Sequence, residues 1–346
     1  MEATSKNVDR LVTVQMRGGD RPDRYIIPPL YESACRKLGG RPISLVAAER
    51  MIELIKPGDS VLLVTDFGTP QFVPYGETDG PSGVASLARA IRFGLNGIPV
   101  IVSGRAIESV RYAVKAAGIN IMEYELAKET TSAGAVSATF PCVDKDESKK
   151  IADNMLDEYE PKALISVETP GPNKRGVKHF AAGTDVEAKY RLPGLEYLFY
   201  EAEDRGIFTI GIIDVGNEIG SGSIEEDVRK ITPYANVCRC PCGAGLACSV
   251  KTDIVFPANI SNWGAYAITA MVAYLLKEKR ILQDVYTERR MLEACIMAGA
   301  VDGVSGLGIM AVDSVNHEAG EAIITLLHSI IGNALASLTL DRYVKS

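Results

Sequence analysis

Short apolar runs recur along this chain, and amphipathic stretches fill the intervals between them. That alternation constrains the fold more than any other feature. Ser60–Thr65, Pro99–Ser103, Ala163–Val167 and Phe208–Ile213 are each five or six residues long and almost free of charge. A run of that length with no polar alternation is expected of a strand buried on both faces. Asn120–Glu125 and Asp253–Phe256 are further strand candidates. Apolar residues at helical spacing predict helices over Ser44–Ile55, Ser82–Phe93, Ile107–Ala117, Lys145–Tyr159, Gly194–Arg205 and Ser223–Lys230. The first stops at Lys56-Pro57-Gly58 and the fifth at Gly206. The last opens on Ser-Ile-Glu-Glu, a capping-box pattern. Three more helices, Asn262–Lys279, Tyr286–Ala298 and Asn316–Leu338, make the last quarter helix-rich, as a cap or a homo-oligomer surface. The expected fold class is therefore α/β, a mostly parallel sheet with helices on both faces. No repeat or low-complexity linker is evident, so residues 41–340 read as a single domain. Residues 1–40 read as an irregular lead-in with one short helix near Tyr31–Leu38, and the polar stretch Ala127–Ala138 reads as a loop.

Composition narrows the function classes. With 346 residues, 47% of them apolar, the chain can bury a sizeable core. A net charge of −7 without a basic stripe excludes nucleic acid as the expected partner. No run of 18 uncharged apolar residues occurs, so no membrane span is expected. The start, Met1-Glu2-Ala3-Thr4-Ser5-Lys6, has no signal-peptide core, which makes cytoplasmic the expected location. Seven cysteines, an odd number, suit free thiols in a reducing compartment. Cys238, Cys240 and Cys242 alternate and would share one face of a strand, with Cys248 six further on. Zinc sites usually show Cys-x₂₋₄-Cys pairs instead, so the expectation is small buried thiols.

Ligands in open parallel sheets sit beyond the carboxyl ends of the strands, so the loops there hold the candidates. The first runs from Asp66 to Gly83. Glu77 and Asp79 are two apart and project to one side of an extended backbone. Gly80-Pro81 then starts a helix, whose free N–H groups at Ser82, Gly83 and Val84 suit an anion such as a carboxylate. A capped turn with solvated acids is the plainer alternative. The second loop carries Glu168 at a strand end, a rigid Pro170-Gly171-Pro172 turn, and then Lys174 and Arg175. It suits a substrate carboxylate, or is simply an exposed charged turn. The third, Asp214-Val215-Gly216-Asn217-Glu218-Ile219-Gly220-Ser221-Gly222, offers oxygen donors of the kind that hold Mg²⁺ or Mn²⁺. It matches neither a dinucleotide fingerprint nor a P-loop. The fourth, Ser261-Asn262-Trp263-Gly264, puts the only tryptophan at a helix start, either against a small substrate or as a core anchor. His317, four residues after Asp313, is a proton-transfer candidate or a surface residue.

These motifs, in this order, resemble the domain shared by the D-glutamate cyclases and their bacterial relatives. The resemblance rests on Gly76-Glu77-Thr78-Asp79-Gly80-Pro81 with Leu87-Ala88-Arg89-Ala90, on Gly216-Asn217-Glu218-Ile219-Gly220 and on Ser261-Asn262-Trp263-Gly264. Val301-Asp302-Gly303-Val304, Val312-Asp313 and His317 complete it, over roughly residues 40–335. One such motif is weak; the ordered set is specific. It implies closure of D-glutamate to 5-oxo-D-proline with loss of water. Ring closure needs a base for the α-ammonium and an acid for the departing oxygen. Glu77, Asp79, Asp214, Glu218 and His317 are the expected catalytic residues, and the four acids the expected ligands of a divalent Mn²⁺ or Mg²⁺. Thr78, Gly80, Glu168, Arg175, Asn217, Ser261, Asn262, Trp263 and Asp302 are the expected substrate contacts. Run with water, the same apparatus opens a cyclic amide, which makes a lactam or hydantoin hydrolase the nearest alternative. A non-catalytic amino-acid-binding module is the other. Three positions depart from the family pattern: Val215 replaces a glycine, Arg175 is displaced from the Pro-Gly-Arg of the second loop, and Ser314 replaces the glycine after Asp313.

Overall fold

A computed structural model describes residues 1–17 and 25–344 of the chain. Its centre is a seven-stranded sheet of β1 (Ser60–Val64), β2 (Ile98–Ser103), β3 (Asn120–Ile121), β4 (Gly134–Thr139), β5 (Ala163–Val167), β6 (Phe208–Ile213) and β7 (Ile254–Pro257). The spatial order is β3-β4-β2-β1-β5-β6-β7, and every pairing is parallel. Alternate residues of the central strand enter two separate cores. Val61 and Leu63 pack into one, Leu62 and Val64 into the other, and all four are fully buried. Burying such a side chain contributes about 1.5–3 kcal/mol, which is why these runs are apolar at every position.

Helices α1 (Glu2–Val12), α2 (Ile27–Lys37), α3 (Ile43–Leu54), α4 (Pro81–Arg89) and α5 (Ile107–Ala116) cover one face. They share it with α10 (Ser261–Leu276), α11 (Val285–Met297) and α12 (His317–Val344). The other face is covered by α6 (Tyr124–Glu129), α7 (Lys145–Tyr159) and α8 (Glu196–Arg205). Local chemistry sets several ends. The Asp144 carboxylate accepts from the N–H groups of Asp146 and Glu147 to start α7, and Gly206 closes α8 at φ 67°. A hairpin of β8 (Ala311–Val312) and β9 (Val315–Asn316) precedes α12. Its two turn residues, Asp313 and Ser314, both have positive φ, 52° and 63°. That is the turn a two-residue hairpin favours, and it needs a backbone conformation that glycine adopts more readily than Ser314.

Four expectations need correction. The lead-in is not irregular: α1 and α2 join the main core, and the Asp9 carboxylate accepts from the N–H of Ile43 to start α3. The predicted strand over 120–125 stops at Ile121, and α6 follows. The polar stretch 127–138 hides β4, whose outer half is part-exposed near the sheet edge and therefore not apolar. Ser223 caps no helix; its hydroxyl donates to the Thr252 carbonyl, and a 3₁₀ turn leads into α9 (Glu225–Ile231). Among the described residues, one helical stretch, His317–Ala336 in α12, is long and apolar enough to cross a bilayer. Ile323, Ile324, Leu327 and Ile331 on that helix are buried in the main core, and 22% of the apolar window is buried.

The strand order opens a crevice. From β1 the chain builds outward through β2 to one edge, then returns to place β5 on the other side of β1. The loops after β1 and β5 therefore part at this switch point, and the crevice lies between them.

Candidate active site

Two helix starts face each other across this crevice and cap one another. The Asp79 carboxylate, just before α4, accepts from the N–H of Ser261 at 2.8 Å and of Asn262 at 2.8 Å, the first two residues of α10. In return the Asn262 Oδ1 accepts from the N–H of Gly80 at 3.0 Å and of Gly83 at 2.6 Å, at the start of α4. The Asn262 amide also donates to the Thr78 carbonyl. Each side chain thus satisfies donors that the other helix leaves open. Gly80 must be glycine here: its φ is 103°, and a Cβ would lie 2.2 Å from the Thr65 hydroxyl oxygen. The loop is tied to the hairpin side as well. Glu77 bridges to Val301, the Thr78 N–H donates to the Val301 carbonyl, and the Thr78 hydroxyl donates to the Ala311 carbonyl.

On this frame six carboxyl groups converge. Glu77 and Asp79 come from the loop after β1, Glu168 from the end of β5, Asp214 and Glu218 from the loop after β6, and Asp313 from the hairpin turn. Glu77, Asp79, Asp214 and Glu218 are buried, whereas Glu168 and Asp313 are half-buried. Carboxylate oxygens of Asp79, Glu168 and Asp214 all lie within 4.8 Å of one another. Glu168 is held at φ 48°, a strained position for a residue with a side chain, and its Oε2 accepts from the Ser261 hydroxyl at 2.6 Å. The Glu218 carboxylate accepts from the N–H groups of Val215 and Gly216. Glu77 is different. Among the described residues its carboxyl has no hydrogen-bond partner, and it lies where a side chain on residue 303 would be, 2.1 Å from an ideal Cβ on Gly303. Residue 303 is therefore glycine to leave room for Glu77.

Among the described residues, Arg17 is the cation that faces this cluster. Its guanidinium pairs with Asp214 and, at 2.5 Å, with Asp313. Burial lowers its pKa, but the neighbouring carboxylates outweigh that and leave it raised. The carboxyls are raised too, which for them favours the protonated form. Burial pushes Asp79 up to about 7, helped by Asp313 and opposed by the N–H groups of Asn262 and Ser261. Burial pushes Asp214 up to about 8 against the opposing pull of Arg17, and Asp313 likewise to about 8. Glu77 stands well above the usual carboxylate range, first through burial and then through Asp313, Asp79 and Asp214. Glu168 does so through burial, Asp214 and Glu218, and burial also raises Glu218. Near neutral pH the cluster therefore shares protons, and a proton donor and a proton acceptor coexist within one site.

The expected residues divide accordingly. Glu77, Asp79, Glu168, Asp214 and Glu218 come together, with Ser261 bonded to Glu168. Of the four expected metal ligands, Asp79 and Asp214 fall in the tight triad, and Glu168 is its third member. Thr78, Gly80 and Asn262 have their polar groups committed to the frame. Of the three N–H groups expected to hold an anion at the start of α4, Gly83 donates to Asn262 Oδ1 and Val84 to the Gly80 carbonyl. Asn217 donates to the His179 carbonyl and leaves only its buried Oδ1 unpaired among the described residues. Asp302 organises the hairpin approach by accepting from the N–H groups of Ser305 and Ser314. Trp263 is 2% exposed and packs in the main core. His317 turns its ring toward Glu318 and Glu321 of its own helix. Arg175 is exposed and donates to the Cys242 carbonyl, away from the carboxyls. Arg17 was not among the expected residues, and nothing in the polar segment around it marks it. Asp313 stood in the motif without a role. A groove of about 860 Å³ opens along Gly206–Thr209 and Lys251–Asp253, where β6 and β7 begin, at the opposite end of the strands from this chemistry.

A family model described as "D-glutamate cyclase-like, C-terminal" matches residues 31–328 of this chain. The human protein "D-glutamate cyclase, mitochondrial" is 27% identical to it over 283 residues. That match covers 74% of this chain and 43% of the human protein, so the chain spans less than half the length of that relative.

Proposed function

The chain belongs to the D-glutamate cyclase-like family, and on that premise we propose that it is a lyase that closes D-glutamate to 5-oxo-D-proline and water. The observation that carries the proposal is the shared-proton cluster of Glu77, Asp79, Asp214 and Asp313 at the switch point. In the reaction the α-nitrogen bonds to the γ-carboxyl carbon and one γ-oxygen departs. The ammonium gives up two protons, the lactam nitrogen keeps one, and the departing oxygen leaves with two as water. An ionised member of the cluster accepts from the ammonium, and a protonated one donates to the oxygen. Glu77 is the donor of choice. Its carboxyl has no competing hydrogen bond among the described residues, and burial with four acidic neighbours keeps it protonated. Ionised members of the cluster attract the ammonium, while burial favours the neutral amine and so eases transfer of its proton to one of them.

The two carboxylates of glutamate meet repulsion here, which needs a cation. Arg17 is one. The oxygen-only triad of Asp79, Glu168 and Asp214 fits Mg²⁺ or Mn²⁺ as a second. Such an ion would offset the negative charge and polarise the γ-carboxyl group. The same excess of carboxyls favours a second reading, hydrolysis of a neutral cyclic amide, which brings no carboxylate into the site.

The test is incubation of the purified chain with D-glutamate, L-glutamate, both 5-oxoprolines and a hydantoin, with EDTA or with added Mn²⁺, followed by mass spectrometry. Formation of 5-oxo-D-proline from D-glutamate alone supports the cyclase. Turnover of only a neutral ring establishes the hydrolase. Tight binding of an amino acid without turnover of any compound rejects both and leaves a binding module.

A further inference from the structure

We propose that His179, Cys238, Cys240 and Cys242 together hold one Zn²⁺ ion. The spacing Cys-x-Cys-x-Cys suggested a strand with buried thiols, but residues 232–250 form no helix or strand, and two of the three thiols are half-buried. The irregular backbone turns all three sulfurs inward. Cys238 Sγ lies 3.5 Å from Cys240 Sγ and 3.3 Å from Cys242 Sγ. The fourth corner comes from the loop after β5: His179 Nε2 lies 3.3 Å from Cys240 Sγ and 3.7 Å from Cys242 Sγ. All four ligand atoms fall within 4.8 Å of one another.

A tetrahedral zinc site has Zn–S near 2.3 Å and Zn–N near 2.0–2.1 Å, which places its ligand atoms roughly 3.6–3.8 Å apart. The separations of 3.3, 3.5 and 3.7 Å lie close to that range, as expected of ligands around one ion. Three thiols packed without a disulfide also lack any other pairing that would use all of them. Cys248 is excluded: it is buried elsewhere, and its sulfur accepts from the Val250 N–H. Zinc binding releases one proton from each thiol and takes the lone pair of Nε2, leaving the ring proton on Nδ1. The surroundings are those of a thiolate site. The Asn173 amide donates to Cys242 Sγ at 3.4 Å and to the Gly245 carbonyl at 2.7 Å, and Arg175 donates to the Cys242 carbonyl at 2.9 Å.

The ion would fasten the loop after β5 to the loop around 238–245. The His179 carbonyl in turn accepts from Asn217, beside Glu218. The zinc site is thus separate from the carboxyl cluster and buttresses one of its walls.

Metal analysis of the full chain purified without chelator is expected to give about one zinc per chain, released by a thiol-reactive mercurial. X-ray absorption at the zinc edge is expected to show three sulfurs near ~2.3 Å and one nitrogen near ~2.0 Å. A Cys238→Ser/Cys242→Ser variant is expected to lose that zinc, whereas Asp214→Asn keeps it. The proposal is overturned by wild-type protein with no zinc and freely alkylated thiols, by iron in its place, or by an oxygen-only shell. A disulfide among these cysteines in the intact mass, or full zinc in the double variant, overturns it equally.

Discussion

Glu77 is the proposed proton donor because of what surrounds it and what does not. It is buried, has acidic neighbours, and accepts no hydrogen bond among the described residues, so none of them ties up the proton it holds. Glu77→Gln keeps the volume and removes that proton. It is expected to lower kcat/KM by about 10²–10⁴-fold with little change in the thermal melt, since a neutral amide replaces a carboxyl already disfavoured as an anion. Retained turnover with a large fall in melting temperature would assign Glu77 a structural role. Gly303→Ala is the companion variant. Its methyl group collides with the Glu77 carboxyl and pushes it aside, so activity is expected to fall by more than the thermal melt does.

Among the elements, the reciprocal caps between α4 and α10 locate the acids. Two helix starts far apart in the chain are clamped by Asp79 and Asn262, which are 183 positions apart. Asn262→Ala leaves the buried N–H groups of Gly80 and Gly83 without an acceptor. The expected cost is about 1–3 kcal/mol, read from denaturant unfolding. An unchanged midpoint would show that the clamp is dispensable. The strands and several helix bounds were legible in the sequence, because apolar periodicity is a local property. β4 was not, since a strand near a sheet edge buries too little to read as apolar. The clamp was not legible either, because capping acceptors normally belong to the helix they cap, and here they come from another loop.

Over the whole molecule, the cluster couples stability to pH. Asp79, Asp214 and Asp313 have folded pKa values near 7, 8 and 8, above the ordinary 3.8. The folded state therefore binds more protons than the unfolded chain between about pH 4 and pH 8, and stability falls as pH rises through that window. Metal-free protein is expected to melt at a higher temperature at about pH 6 than at about pH 8.5, and added Mn²⁺ is expected to narrow the gap. A melting temperature that climbs across this range would contradict the shared-proton picture. Arg17 opposes the same effect from the N-terminal segment. Arg17→Gln is expected to destabilise little at about pH 5.5 and more at about pH 8, as Asp214 and Asp313 ionise without their partner. Equal destabilisation at both pH values would reject Arg17 as their counter-charge.

The α/β class, the strand-end loops and most of the acids can be read along the chain alone, because periodicity and turn chemistry act within a few residues of each other. What those acids face is settled only by packing. Arg17 meets Asp313 across 296 positions, and His179 meets Cys240 across 61. No local pattern encodes such meetings. They follow from the strand order, which opens the crevice between β1 and β5 and carries distant segments to its rim. Packing likewise places Trp263 in the core, turns His317 along its own helix, and lays Arg175 against the cysteine loop rather than beside the carboxyls.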